Sequence, residues 1–189
     1  MVIRAKGLTW APYTSGGSGA AIVYGTGSAE QDLVVKIDQS EDRSDGTFSA
    51  DDHVIDRDNG ATGATVSIEV ADLPDNMLED LLGMVKGTDS LSMTTDEAPY
   101  VGVGFIYGKV HCGTKTWKAF WYHKVQFSRG SRSFNTHGES TEYQTESIEG
   151  KAVAVSLTSG GDDVFYEESL TLTSESAARS WLNGRAGIS

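Results

Sequence analysis

The residues best suited to chemistry lie in one short stretch: Asp51, Asp52 and His53, followed by Asp56 and Asp58. Carboxylates clustered with an imidazole suit a hard divalent ion or zinc. Acids that alternate along a strand or its turn are more often solvated, and that is the reading adopted. The segment 58–69 has the length of a calcium loop and a glycine, Gly63, at its sixth position. Its third and fifth positions are Gly60 and Thr62, which are not carboxylate or amide ligands, and no helix follows. His111 and Cys112 are adjacent, so in a strand they point to opposite faces and cannot share a ligand. With no second cysteine or activating base nearby, Cys112 reads as a small structural residue. His137-Gly138-Glu139 matches the His-x-Glu of zinc deaminases but lacks the accompanying Pro-Cys-x-x-Cys. Gly102-Val103-Gly104 lacks the last glycine of a dinucleotide fingerprint, and no nucleophile elbow, phosphate loop or His-Glu-x-x-His occurs. The expectation is a protein without catalytic or metal residues and without a cofactor.

Charge gives more direction. The 189 residues carry 27 acids against 15 Lys and Arg, a net charge of -12. Proteins that grip nucleic acid by its phosphates need a net basic surface, so that class is disfavoured. The layout is uneven: residues 28–58 and 139–170 each sum to -7, whereas residues 109–132 hold six bases and no acid. Those bases are Lys109, Lys115, Lys118, Lys124, Arg129 and Arg132. They are read as a surface that meets acidic surfaces on identical subunits, complementary potentials fixing the register. Lys115 and Lys118 flank Trp117 as in a platform for single-stranded nucleic acid, but an amphipathic strand with its aromatic packed inside fits the surrounding acidity better. A single cysteine precludes an intramolecular disulfide. No apolar run reaches the length of a membrane span, and the N-terminus has no apolar run like that of a signal peptide, so synthesis and residence in the cytoplasm are expected before assembly.

The elements that would position these residues are mostly strands in a single domain, 1–189. Thr62 to Ala71 alternates, with Thr62, Ala64, Val66, Ile68 and Val70 on one face. Tyr100 to Gly108 places Val101, Val103, Phe105 and Tyr107 on one face and three glycines with Ile106 on the other, where something bulky can approach. Further strands are expected at 117–127, 153–157 and 164–172. One helix is predicted over about 73–85, with Asp72 as N-cap, Pro74 in its first turn and an apolar stripe of Met77, Leu78, Leu81, Leu82 and Val85. A second helix is predicted over Glu175 to Leu182, capped by Ser174 and stopped by Gly184. The Gly- and Ser-rich tract 14–19 suggests an N-terminal arm over 1–30. Residues 37–48, polar and ending in Asp45-Gly46, read as a long loop. Residues 170–189 read as a C-terminal arm, a surface feature or part of the core. The fold class expected is mainly β, a sandwich or barrel with a flanking helix.

Several segments, taken in order, resemble a known family. They are Phe48-Ser49-Ala50-Asp51-Asp52-His53-Val54-Ile55, then residues 63–73 running into Leu81-Leu82-Gly83, then Val101-Gly102-Val103-Gly104-Phe105, then residues 120–127, and finally residues 140–152. Over roughly residues 45–155 the chain is similar to the major tail proteins of siphophages, the tube-forming subunits of long flexible tails. The resemblance implies a sandwich or barrel-like tail-tube fold and hexameric rings stacked into a hollow tube around a tape-measure protein. It implies a place in the virion, contacts with tail terminator and distal tail proteins, and transient passage of DNA. On that expectation Asp38, Glu41, Asp42, Arg43 and Asp45 belong to a loop that orders against the next ring. Glu142, Glu146 and Glu149 are candidate acids of the lumen, where a negative wall would let DNA slide; Glu167 and Glu168 are further candidates. The alternatives are another tail morphogenesis subunit such as a terminator, the tube protein of a phage-derived injection device, or a carbohydrate- or cell-surface-binding β-sandwich module.

Overall fold

A computed structural model describes residues 2–30, 33–50, 53–130 and 145–188; the side chains of residues 2, 3 and 47–58 lie outside the description. The strands are β1 (Val2–Ser15), β2 (Val23–Tyr24), β3 (Ser28–Glu30), β4 (Val34–Arg43), β5 (Gly46–Ala50), β6 (His53–Asp58) and β7 (Ala61–Val70). After helix α1 (Asp75–Leu82) come β8 (Val85–Lys86), β9 (Leu91–Ser92), β10 (Tyr100–His111), β11 (Thr114–Arg129) and β12 (Glu146–Ala152). The chain closes with β13 (Val155–Ser156), β14 (Asp163–Val164), β15 (Tyr166–Glu168) and helix α2 (Glu175–Ala186).

The fold is mainly β. One nine-stranded sheet runs in the order β2-β1-β10-β11-β12-β7-β4, with β3 on β1 and β15 on β11. Every pairing in it is antiparallel. The sheet curls, because β4 at one end of this order touches β1 near the other. The inward faces of β1, β7, β10, β11 and β12 form one core, with Trp10, Val66, Ile68, Val103, Tyr122 and Ile148 almost wholly buried. Helix α1 packs on this face through Met77, Leu78 and Leu81. The indole of Trp10 donates to Asp80 of α1 at 2.8 Å. A second core lies on the outer face, where Ala178, Leu182 and Ala186 of α2 cover Ala11, Ile106, Ala119 and Trp121. The glycine face of β10 is what admits this layer. A Cβ on Gly104 would lie 2.4 Å from the Phe120 carbonyl and 2.7 Å from both Leu182 and Trp121.

Several expectations are corrected. Strand β1, Val2–Ser15, is an inner strand of the sheet, with Leu8, Trp10 and Ala11 fully buried, so the arm expected over 1–30 is, from Val2 on, part of the body. Residues 170–188 likewise dock against the body through α2. That helix is capped by Ser174, whose hydroxyl accepts from the Ala177 N–H, and it runs through Gly184 to Ala186, because Gly184 faces open space and nothing forces a stop there. Helix α1 is shorter than 73–85. Pro74 is its N-cap, Asp72 accepts only from the Leu73 N–H, and Gly83 closes it. Leu82 is partly buried against the core, but Val85 lies in β8 with 55% of its surface exposed and is no core contact. Cys112 is exposed at the tip of the β10–β11 hairpin with φ +46°.

The predicted loop 37–48 is also not a loop. Strand β4 pairs with β7 from Val34↔Val70 to Arg43↔Ala61. The Ser44 N–H then donates to the Gly60 carbonyl at 2.9 Å. Beyond that break β5 pairs with β6 from Gly46↔Asp58 to Ala50↔His53. Residues 34–70 are therefore one long hairpin. Its first half lies in the main sheet and its second half forms a two-stranded sheet of its own. Strand β4 hides its nature because it is an edge, with most of its side chains exposed, and edge strands commonly carry charge.

Candidate functional site

The residues expected to make inter-ring contacts sit on the exposed edge of this hairpin. Lys36 and Asp38 pair at 2.6 Å, both more than half exposed. Arg43 pairs with Glu41 at 2.5 Å, and the Tyr166 hydroxyl of β15 donates to the other Glu41 oxygen at 2.6 Å. The tyrosine, and then the guanidinium, hold the Glu41 carboxyl below the usual carboxylate range. Thr62 donates from its hydroxyl to the Asp42 carbonyl at 3.1 Å, across the ladder. Asp45 lies exposed in the break between β4 and β5. Asp38, Glu41 and Arg43 are thus ion-paired along the exposed strand β4, and Asp42 and Asp45 lie exposed next to its end.

The basic stretch does not make one surface. Alternation along β11 sends Lys118 to the inner side with Phe120 and Tyr122, and Lys115 to the outer side with Trp117. Lys118 pairs with Glu168 at 3.1 Å and Arg129 with Glu146 at 2.8 Å, so two of the bases are satisfied within the chain. Lys124 lies over the rings of Tyr13 and Tyr100, at 4.6 and 4.4 Å. Lys115 and Lys6 both sit over Trp117, at 4.6 and 5.2 Å, and Lys109 over Tyr107 at 5.4 Å. Arg132 lies outside the described residues.

The acids proposed for a lumen separate too. Glu142 lies outside the described residues. Glu146 shares the face of buried Ile148 and is held by Arg129, whereas Glu149 is exposed on the opposite face of β12 between Ser147 and Lys151. Glu146 and Glu149, of opposite parity on one strand, cannot line one wall. Glu167 and Glu168, adjacent on β15, also divide: Glu168 takes Lys118 and the Tyr107 hydroxyl, Glu167 takes Arg185.

Glu167 belongs to a cluster that the sequence does not reveal. His123 is 3% exposed, with its Nε2 atom 3.6 Å from Glu167, whose other oxygen receives Arg185 of α2 at 2.6 Å. The Trp121 indole donates to the Tyr24 hydroxyl at 3.1 Å, and that hydroxyl donates to the His123 carbonyl at 2.8 Å. A cavity of about 220 Å³ adjoins these side chains. Burial pushes the His123 pKa down, Arg185 adds to that, and Glu167 opposes it. Burial also lifts the Tyr24 hydroxyl to about 12. The cluster joins β2, β11, β15 and α2, segments far apart in the chain, so no local spacing announces it.

Of the metal-like group, Asp51 and Asp52 lie outside the described residues, and His53, Asp56 and Asp58 fall on β6 of the outer hairpin. Among the described residues no group of three His, Cys, Asp or Glu side chains is placed to hold a metal ion. Among the same residues no helix is long and apolar enough to cross a membrane. No protein-family model matches the chain, and no curated protein matches it in sequence.

Proposed function

We propose that this chain is a structural subunit that assembles with copies of itself into stacked rings, forming the hollow tail tube of a bacteriophage. The observation that supports this reading most is the hairpin 34–70. It runs on beyond the main sheet as a separate ladder with a charged, exposed base. Among the described residues β5 and β6 pair only with each other, so each offers an unpaired backbone edge, a template for a strand of another chain. Contacts of this heterologous kind close into rings or continue as tubes. In this reading the tape-measure protein sets the number of rings, terminator and distal tail proteins cap the ends, and DNA passes an acidic protein that does not retain it. The particle is then the place of action, and the chain performs no catalysis.

The reading is tested by concentrating the purified chain, alone and co-expressed with its tape-measure protein, and imaging it by negative-stain electron microscopy. Rings or hollow tubes are expected. A protein that stays monomeric in both preparations at every salt concentration would remove the proposal.

A further inference from the structure

Beside β15 the inner face of the sheet carries a contiguous group of rings, of which Tyr107 and Tyr122 are buried in the core and Phe120 and Tyr166 are half-buried. Phe120 lies 5.2 Å from Tyr166, 6.4 Å from Tyr122 and 5.9 Å from Tyr107, and Tyr122 lies 5.4 Å from Tyr166. Opposite them, β4 presents Gln39, Ser40 and Glu41. Between the two sides is a cleft of about 340 Å³ lined by Gln39, Ser40, Glu41, Tyr122 and Tyr166. That volume lies at the lower end of the range for small-ligand pockets, about 300–1,000 Å³, and the mouth of a curled sheet is one of their usual places.

We infer that this cleft is a binding site for a neutral, polyhydroxylated ligand, a short saccharide. Three features select that chemistry. First, the polar groups are held in place yet not used up. Gln39 Nε2 donates to the Tyr122 hydroxyl at 2.7 Å, which leaves the amide oxygen and a second amide hydrogen for a ligand. Tyr166 donates to Glu41, which leaves the phenolic oxygen free to accept. Second, the charges at the site are balanced locally, Glu41 by Arg43 and Glu168 by Lys118. A cleft with carboxylates at its rim and no uncompensated cation repels phosphate and sulfate, and its own cations are engaged. Third, Phe120 and Tyr166 are only partly buried. The negative face of an aromatic ring attracts positively polarised hydrogens, and a pyranose offers a face of such C–H groups with hydroxyls at its rim. Stacking on Tyr166 while hydroxyls meet Gln39, Ser40 and Glu41 uses both kinds of wall at once. The cleft shares Glu41 with the charged edge of β4, but the inference does not rest on the assembly reading.

The test uses the full chain and saturation-transfer-difference NMR with glucose, galactose, rhamnose and N-acetylglucosamine, each at about 10 mM, with inorganic phosphate titrated in parallel. At least one sugar is expected to bind, with its ring C–H protons saturated most strongly. Gln39→Ala lies at an exposed strand position and should weaken binding about tenfold, as should Tyr166→Ala, while Tyr166→Phe keeps the stacking face and loses less. Thermal unfolding checks that each variant is folded. The inference is overturned by no transfer to any of the four sugars, by transfer that neither Gln39→Ala nor Tyr166→Ala alters, or by phosphate binding in their place.

Discussion

The body of the sheet and the outer hairpin are built from the same kind of antiparallel ladder, yet different forces hold them. In the body, β7 buries Ala64, Val66, Ile68 and Val70 against α1 and the facing strands, and the outer face of β10 and β11 lies under α2. Beyond Ser44 and Gly60 the same two chain segments continue as β5 and β6, paired with each other as a separate two-stranded sheet. An isolated two-stranded hairpin is marginal in water, whereas three or more strands over an apolar face are stable alone. The difference teaches that the chain's stability resides in the body; in the proposed reading the outer ladder is the element that meets another copy. Removing atoms from each region should therefore have opposite consequences: loss of stability in one, loss of assembly in the other.

The largest effect is expected from the body. Ile68→Ala removes a fully buried side chain and should cost about 2–5 kcal/mol in urea unfolding. Gly104→Ala forces a methyl against the Phe120 carbonyl and the Leu182 side chain, and overpacking of this kind should cost about 1–3 kcal/mol or dislodge α2. Far-UV circular dichroism, with proteolysis at the C-terminus, separates the two results. If either substitution were neutral, the two-core description of the body would be wrong.

The next effect depends on pH. Burial holds the His123 pKa below its ordinary 6.5 in the folded chain, so the unfolded chain binds more protons once the pH falls below 6.5. The stability contributed by neutral His123 is fully present above that value and is lost as the pH falls through the window beneath it. The lowered carboxyls, such as Glu168 and Glu175, act in a lower window, below 4.5. Melting temperature should therefore fall as the pH drops below 6.5, and His123→Gln should flatten that slope. An equal slope in the variant would assign the effect elsewhere.

A smaller gain is expected at the β10–β11 turn. His111 pairs with Thr114 around Cys112 and Gly113, both with positive φ, as a two-residue hairpin turn of type I′ requires. Asparagine tolerates this conformation better than cysteine, so Cys112→Asn should raise stability by roughly 0.5–1 kcal/mol. A drop in melting temperature would show that the cysteine side chain makes a contribution of its own.

Parts of this architecture are plain in the sequence. The alternation of residues 62–71 is that of β7, and the glycines of β10 do mark the place where Trp121 and Leu182 approach. The stripe of α1 is legible through Leu82 and fails at Val85, since the helix closes at Gly83 and the chain turns into β8. Strand β1 is obscured by its own geometry. It is buried on both faces around Leu8, Trp10 and Ala11, and the pairing with β10 shifts between Lys6 and Thr9, so that Ala5 and Leu8 face the same core. A strand with a bulge and two buried faces loses the period of two that identifies an amphipathic strand. Strand β4 is obscured for the opposite reason: only Val34 and Ile37 touch the core, and its acids carry no period. The candidate sites were less legible than the fold. The composition of the acidic and basic stretches is visible, but which charges pair depends on strand parity and on chain segments far apart, as Arg129 with Glu146 and His123 with Glu167 and Arg185 show.

The smallest effect on stability, and the largest on function, is expected from trimming the outer hairpin. Because the Ser44 N–H already meets the Gly60 carbonyl, residues 45–59 can be replaced by an Asn-Gly turn without reaching the buried positions of β7. The measurement is negative-stain microscopy of the full and trimmed chains side by side, each co-expressed with the tape-measure protein. The account predicts tubes from the full chain, and from the trimmed chain a folded subunit with an unchanged melting temperature that forms no tubes. Tubes of normal length from the trimmed chain would contradict it.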